Sequence, residues 1–193
     1  MADISTKLQI LAAARGLLEG EGANAVSMRR IAEQVKITPM AIYKHYPDRA
    51  AILNAVADQG FEELAGTLDG RRWRGGSIKQ VVDRMEIYLD HAVANPHLFE
   101  LMFLQPREGA RKFPDDFVQR RSPTANLVAD ALAAGMEAGE IAKGDIWEIA
   151  FQLGALAQGL ILLRLGGRVA LSPEQFRKLY RQSITRFLHG PAS

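Results

Sequence analysis

Arg29, Arg30, Lys36, Lys44 and Arg49 fall within one short stretch, opposed there only by Glu33 and Asp48. His45 can add to them beside a phosphate. Cations gathered this closely suit neutralisation of a polyanion. Phosphate attraction is screened over about 8–10 Å, so the local excess says more than the net charge of +2. An ordinary solvated helical face has the same composition, so charge alone leaves both readings open.

Other chemistries are poorly served. Cysteine is absent, which removes disulfides, thiolate nucleophiles and cysteine-ligated metals and fits a reducing cytoplasm. There is no Ser/His/Asp arrangement, glycine-rich phosphate loop or inward pair of carboxylates. His91 and His97 are too scattered to make a metal site. The expectation is no enzyme, no cofactor and no metal.

The elements that must position the basic cluster are two short helices. Ser27 is a good N-cap, and Met28, Ile31, Ala32 and Val35 follow at three- and four-residue spacing, which buries one face. Thr38-Pro39 is a second start, a hydroxyl cap followed by proline at the first helical position. Ile42 and Tyr46 can face inward on this second helix, leaving Thr38, Met40, Ala41, Lys44 and His45 outside. Two helices this short and this close read as a helix-turn-helix, and the second has a fitting size for the major groove of DNA.

The rest of the 193 residues reads as helical too. Hydrophobic residues make up 48% of the chain, enough for a well-buried core, and no alternating strand-type run appears. The fold class expected is all-α, with nine or ten helices. An N-terminal three-helix helix-turn-helix domain would be followed by a larger helical bundle. Helix 1 is predicted near Thr6–Glu19, with Leu8, Leu11, Ala12 and Leu18 inward, ended by Gly20 and Gly22. Asp48 is placed to cap the helix that runs to about Leu68. The run D-G-R-R-W-R-G-G after it marks a seam, giving domains 1–68, with the motif at 27–46, and 69–193. Ser77 with Gln80 and Asp145 with Glu148 are candidate capping boxes, and Ser172-Pro173-x-Gln175 starts the last helix.

The N-terminus lacks the basic and apolar segments of a secretory signal. The stretch Ile149–Leu163 is shorter than the roughly 20 residues a bilayer needs and is broken by Gln152 and Gln158, so it reads as a buried helix rather than a membrane span. It is apolar nearly all round. Either it is fully central, or one side meets its own domain and another a second subunit, with Gly154, Ala155 and Gly159 allowing close approach. In the second case the candidate interface is Phe151, Ala155, Gly159, Leu162, Phe176, Tyr180 and Phe187, two helices from each subunit forming a symmetric four-helix contact.

The pattern Ser27-x-Arg29-x-Ile31-Ala32, Val35-Lys36-Ile37-Thr38, Ile42-Tyr43-x-His45-Tyr46, Asp48-Arg49 and Ile52-Leu53 resembles the DNA-binding domain of TetR-family transcriptional regulators. The close match covers about the first quarter of the chain, and the remainder agrees as a plan of helices. The resemblance implies that Arg29 reaches a base edge or phosphate. It implies that Thr38, Pro39, Met40 and Ala41 begin the recognition helix, with Met40 and Ala41 able to pack on thymine methyls. Tyr43, Lys44, His45 and Arg49 are implied as phosphate contacts, which position a protein without reading sequence. Tyr43 as half core, and His45 as a brace of the corner, stand beside those roles. Lys36 occupies a turn position where the family usually has glycine. Either the turn relaxes there, or an extra cation near phosphate offsets part of the cost.

The resemblance further implies a dimeric regulator on a palindromic double-stranded operator, most readily a repressor released by a small molecule. Candidate pocket residues are Met85, Tyr88, Leu89, Phe99, Met102, Phe103, Trp147, Phe151 and Gln152, a set suited to an apolar or aromatic ligand. The alternative is a helix-turn-helix protein without a small-molecule effector, controlled by a protein partner or constitutive. No membrane partner is expected.

Overall fold

The structure, a computed structural model, describes residues 2–189. Among the described residues there are ten α-helices and no strand. They are α1 (Ala2–Glu21), α2 (Met28–Val35), α3 (Pro39–Tyr43), α4 (Arg49–Asp69), α5 (Ser77–Ala94), α6 (Pro96–Phe103), α7 (Asp115–Val118), α8 (Pro123–Glu137), α9 (Ile146–Leu165) and α10 (Pro173–His189). A single 3-10 turn, Ala23–Ala25, separates α1 from α2. The all-α expectation holds.

The chain forms two compact units, one from the residues up to Glu62 together with Asn95–Ala110, the other from Glu63–Ala94 and Arg111 onward. This differs from a division at residue 68. The reason is α6, whose contacts lie with the first unit. A Cβ at Gly60 would stand 2.6 Å from the Met102 sulfur and 3.3 Å from Leu98, so α4 and α6 approach closely only because residue 60 has no side chain. Phe61 meets Phe103 edge to face at 5.1 Å, and Arg107 reaches Asp58 at 3.2 Å. His97 Nδ1 lies 3.1 Å from the Glu19 carbonyl.

In the first unit Ile10, Ala14, Leu17 and Leu18 of α1 are buried with Ile31, Ala32, Ile42, Ile52 and Val56. Of the inward stripe predicted for α1, Leu18 is fully buried and Leu11 half-buried, but the other two members face out. Leu8 is 61% exposed and Ala12 is exposed, because α2 and α6 choose which side of α1 is covered.

The second unit packs α5, α8, α9 and α10 together. Its core includes Val82, Met85, Leu89, Leu132, Leu153, Ala157, Ile161, Phe176, Tyr180 and Ile184. Tyr180 donates its hydroxyl to the Met85 carbonyl at 2.9 Å. Arg177 pairs with Asp90, and Arg181 with Glu86, across the α5–α10 seam. Asp145 caps α9 by accepting from the amides of Trp147 and Glu148. Ser172 and Gln175 form a reciprocal capping box on α10. The box predicted at Ser77 does not form. The Glu140 carboxylate takes the Ser77 amide at 2.5 Å, and Gln80 turns back to the Gly75 carbonyl.

α9 is long and apolar enough by length and composition to cross a membrane. Leu153, Ala157 and Ile161 are buried inside the second unit, while Phe151, Ala155, Gly159, Leu162 and Leu163 are exposed. Of the two readings left open by its sequence, the fully central one fails.

Candidate nucleic-acid interface

Local chemistry builds the helix-turn-helix from its caps outward. Ser27 Oγ accepts from the Arg30 amide at 3.3 Å, which satisfies one orphan donor at the start of α2. Thr38 Oγ1 does the same for the Ala41 amide at 3.2 Å, with Pro39 in the first helical position of α3. Ile42 is fully buried and Tyr46 is 5% exposed, and these two side chains anchor α3 to the unit. Lys7 places its ammonium 5.4 Å from the centroid of the Tyr46 ring, and burial pushes the Tyr46 hydroxyl pKa up.

The turn between the two helices is a left-handed cap. Lys36 has φ 58° and ψ 43°, and its amide donates to the carbonyls of Ala32 and Glu33. The Ile37 amide closes on Ala32 at 3.0 Å. The turn has not relaxed to accommodate a side chain. A non-glycine residue held there costs roughly 1–2 kcal/mol.

With the scaffold fixed in this way, α3 presents one open face. Met40 is 72% and Tyr43 50% exposed, and Thr38, Pro39 and Lys44 are exposed beside them. Ala41 and His45 are half-buried. Small and apolar side chains at the start of α3, with a phenol and an ammonium after them, suit contact with base edges and methyls followed by backbone phosphates.

The basic residues divide into two groups. Arg29, Lys36 and Lys44 are exposed, and their side chains meet no partner among the described residues. Arg30 grips the Glu21 carboxylate at 2.6 and 3.0 Å, and that bond lowers the Glu21 pKa and raises that of Arg30. Arg49 donates from Nε to the Val26 carbonyl at 2.7 Å and from a terminal nitrogen to the Ala23 carbonyl at 2.5 Å. Its guanidinium ties the start of α4 to the turn before α2. Arg49, expected from the resemblance to contact phosphate, thus spends Nε and one terminal nitrogen on the backbone. Asp48 caps α4 through the Ala51 amide at 2.8 Å.

The predicted pocket residues fall in both units. Phe99, Met102 and Phe103 belong to the first unit, and Met85, Tyr88, Leu89, Trp147, Phe151 and Gln152 to the second. Met85, Leu89, Phe99 and Met102 are buried. Phe151 and Gln152 point outward. Phe151 stacks on Phe113 at 4.3 Å between centroids, and Gln152 bonds Glu148 at 3.0 Å along the surface of α9. Trp147 lies under the Arg120 guanidinium at 5.7 Å. Burial drives the Tyr88 hydroxyl pKa well up, and the Gln158 side chain facing it partly offsets this. Gln158 has no place in the predicted set. Its only signal in the sequence is a polar residue inside an apolar helix.

The predicted interface residues divide between surface and core. Phe151, Ala155, Gly159 and Leu162 form an exposed stripe on α9. Phe176 and Tyr180 are 3% and 0% exposed, so their surface is already spent on their own unit's core. Phe187 is half-buried. Phe113 and Phe117, outside the predicted sets, cluster around Phe151 and extend its apolar surface.

Comparison with known proteins agrees with this architecture. Residues 10–56 match the family model described as bacterial regulatory proteins, tetR family. Residues 81–187 match the tetracyclin repressor-like C-terminal domain. The chain is 26% identical over 142 residues to the HTH-type transcriptional regulator Rv1816 of Mycobacterium tuberculosis, covering 71% of this chain and 60% of that protein. An HTH-type transcriptional regulator of Saccharopolyspora erythraea is 26% identical over 144 residues, covering 73% and 59%. The chain thus spans about 60% of the length of these curated relatives. Among solved structures, a protein of unknown function from Rhodococcus sp. RHA1 superposes with a TM-score of 0.78 at 25% identity, covering 96% of each chain. RolR, solved in complex with resorcinol, superposes at 0.73 with 18% identity, covering 97% of this chain and 89% of that one.

Proposed function

The chain belongs to the TetR family of bacterial transcriptional regulators, and on that premise we propose that it is a homodimeric repressor released from its operator by a small apolar or aromatic ligand. It is a DNA-binding regulator and not an enzyme. The observation that carries the reading is the open face of α3, where Thr38, Pro39, Met40, Tyr43 and Lys44 stand exposed on a helix anchored by buried Ile42 and Tyr46. Two such helices related by a two-fold axis would read half-sites about one helical turn, roughly 34–36 Å, apart. In this reading the helix-turn-helix segment, about residues 1–68, contacts DNA in the cytoplasm, and residues 69–193 serve association and ligand binding.

Support for a second copy comes from α9. Phe151, Ala155, Gly159 and Leu162 recur on one side, exposed and without a charge, and Phe113 lengthens that patch. Apolar stripes of this kind are covered in helical dimers by the same stripe of a symmetry mate. Support for an aromatic effector is Tyr88, half-buried with its hydroxyl enclosed and facing Gln158, on the same helix as buried Met85 and Leu89, a polar group in an apolar setting. RolR, of the same fold, was solved with the aromatic ligand resorcinol. Such a ligand acts only through a difference in affinity between the DNA-competent and released conformations, and operator binding weakens ligand binding by the same factor.

The test is the mass of the protein in solution by light scattering at micromolar concentration. The wild type is expected at twice the chain mass, and Ala155→Glu at the chain mass with unchanged helicity. A monomeric wild type would overturn the reading.

A further inference from the structure

Five described residues with positive φ are glycines, namely Gly22, Gly75, Gly109, Gly139 and Gly167, and two are not. The two exceptions are both basic. Arg120, at φ 56°, uses its side chain inside the fold. It holds both Asp130 oxygens at 2.8 Å and lies over Trp147. Lys36, at φ 58°, has no such use. Its side chain is exposed, and among the described residues no carboxylate, carbonyl or ring receives its ammonium. A strained backbone conformation persists where something outside local geometry rewards it. Arg120 has that return within the chain, and Lys36 does not.

We infer that Lys36 is a DNA-positioning residue, a lysine that holds a backbone phosphate from the turn between α2 and α3. Three observations point to the same place. The left-handed cap fixes the Lys36 Cα, since its amide is bonded to Ala32 and Glu33. The residue lies two positions before Thr38, which opens the exposed face of α3. Arg29 and Lys44, the two other unpartnered cations of the motif, come from the helices on either side of this turn or its immediate end. An ammonium on a flexible stem acts as a point charge, so it fixes the depth and register of α3 without selecting bases. The inference rests on the family's DNA-binding role alone and is independent of the proposed dimer and effector.

The test uses the full chain and a duplex enriched by the wild-type protein from a randomised pool. Binding is followed by fluorescence anisotropy between about 50 and 200 mM salt, the range over which counterion release is steep. Lys36→Gly is expected to raise the melting temperature by about 2–4 °C, since glycine removes the backbone cost. It is also expected to weaken binding several-fold and lower the slope of log K against log salt by about 0.9, the loss of one phosphate contact. Lys36→Arg is expected to keep the wild-type slope. A Lys36→Gly protein with the wild-type slope overturns the inference, whether its affinity is unchanged or reduced. Lys44→Ala separates the two levels. If it lowers the slope while Lys36→Gly does not, only Lys36 is misassigned. If neither does, the DNA face itself is wrong and the inference falls with it.

Discussion

Arg49 and Val26 are joined by a hydrogen bond of 2.7 Å from the guanidinium Nε to the backbone carbonyl. With the second bond to Ala23, it fastens the first turn of α4 to the segment that leads into α2. The helix-turn-helix is therefore held from behind by a residue that its sequence position would assign to the DNA.

This yields a prediction of opposite sign to the family likeness. Charged donors on backbone carbonyls contribute about 1.5–3 kcal/mol each when shielded, and less where part-exposed. Arg49→Ala is expected to lose about 1–2 kcal/mol of stability in urea denaturation. Its salt dependence of DNA binding should match the wild type. Unchanged stability with a slope lower by about 0.9 would return Arg49 to the phosphates.

Tyr180 gives a pH-dependent prediction. Burial raises its hydroxyl pKa well above the ordinary 10.0, and that of Tyr88 likewise. A raised pKa means stability that is fully present below about pH 10 and lost as pH climbs beyond it, because the unfolded chain releases a proton that the folded one keeps. Near neutrality Tyr180→Phe is expected to be about 1 kcal/mol less stable than wild type, for loss of the bond to Met85. Above pH 10 that gap should close, by up to about 1.4 kcal/mol per pH unit. Denaturant titrations from neutral to strongly alkaline pH measure it, and a gap independent of pH contradicts the buried, neutral phenol.

Gly135 and Gly16 are both helical, yet alanine should act on them in opposite directions. A Cβ at Gly135 would lie 2.6 Å from Ile141 Cδ1 and 2.9 Å from Ser77 Cβ, whereas one at Gly16 meets nothing within 4 Å. Gly135→Ala is expected to cost about 1–3 kcal/mol through overpacking. Gly16→Ala should gain about 0.5–1 kcal/mol from helix propensity. Paired urea midpoints decide the matter, and two shifts of the same sign would show that the close approach of α8 is not rigid.

The elements carried by local chemistry were readable from the sequence. Ser27, Thr38, Asp48 and Asp145 cap the helices they were expected to cap, because an N-cap bond spans only two or three residues. What depended on distant partners was not readable. Leu8 fits a helical stripe as well as Ile10 does, and only the packing of α1 against α2 and α6 chooses between them. Phe176 and Tyr180 have the character of interface residues until α5 covers them, and Phe151 that of a pocket residue until α9 turns it outward. Lys36 marks the boundary between these cases. Its sequence allowed either a relaxed turn or a strained one, and the backbone is strained.

Footprinting on a selected duplex tests the central claim, that two copies of the α3 face read DNA about one helical turn apart. Hydroxyl-radical cleavage with the wild-type protein should show two protected patches related by a dyad, centred about 10–10.5 base pairs or a multiple apart. Tyr43→Ala with Lys44→Ala should erase both patches together while leaving the circular dichroism unchanged. A single protected patch, or protection that survives that double substitution, would contradict the account.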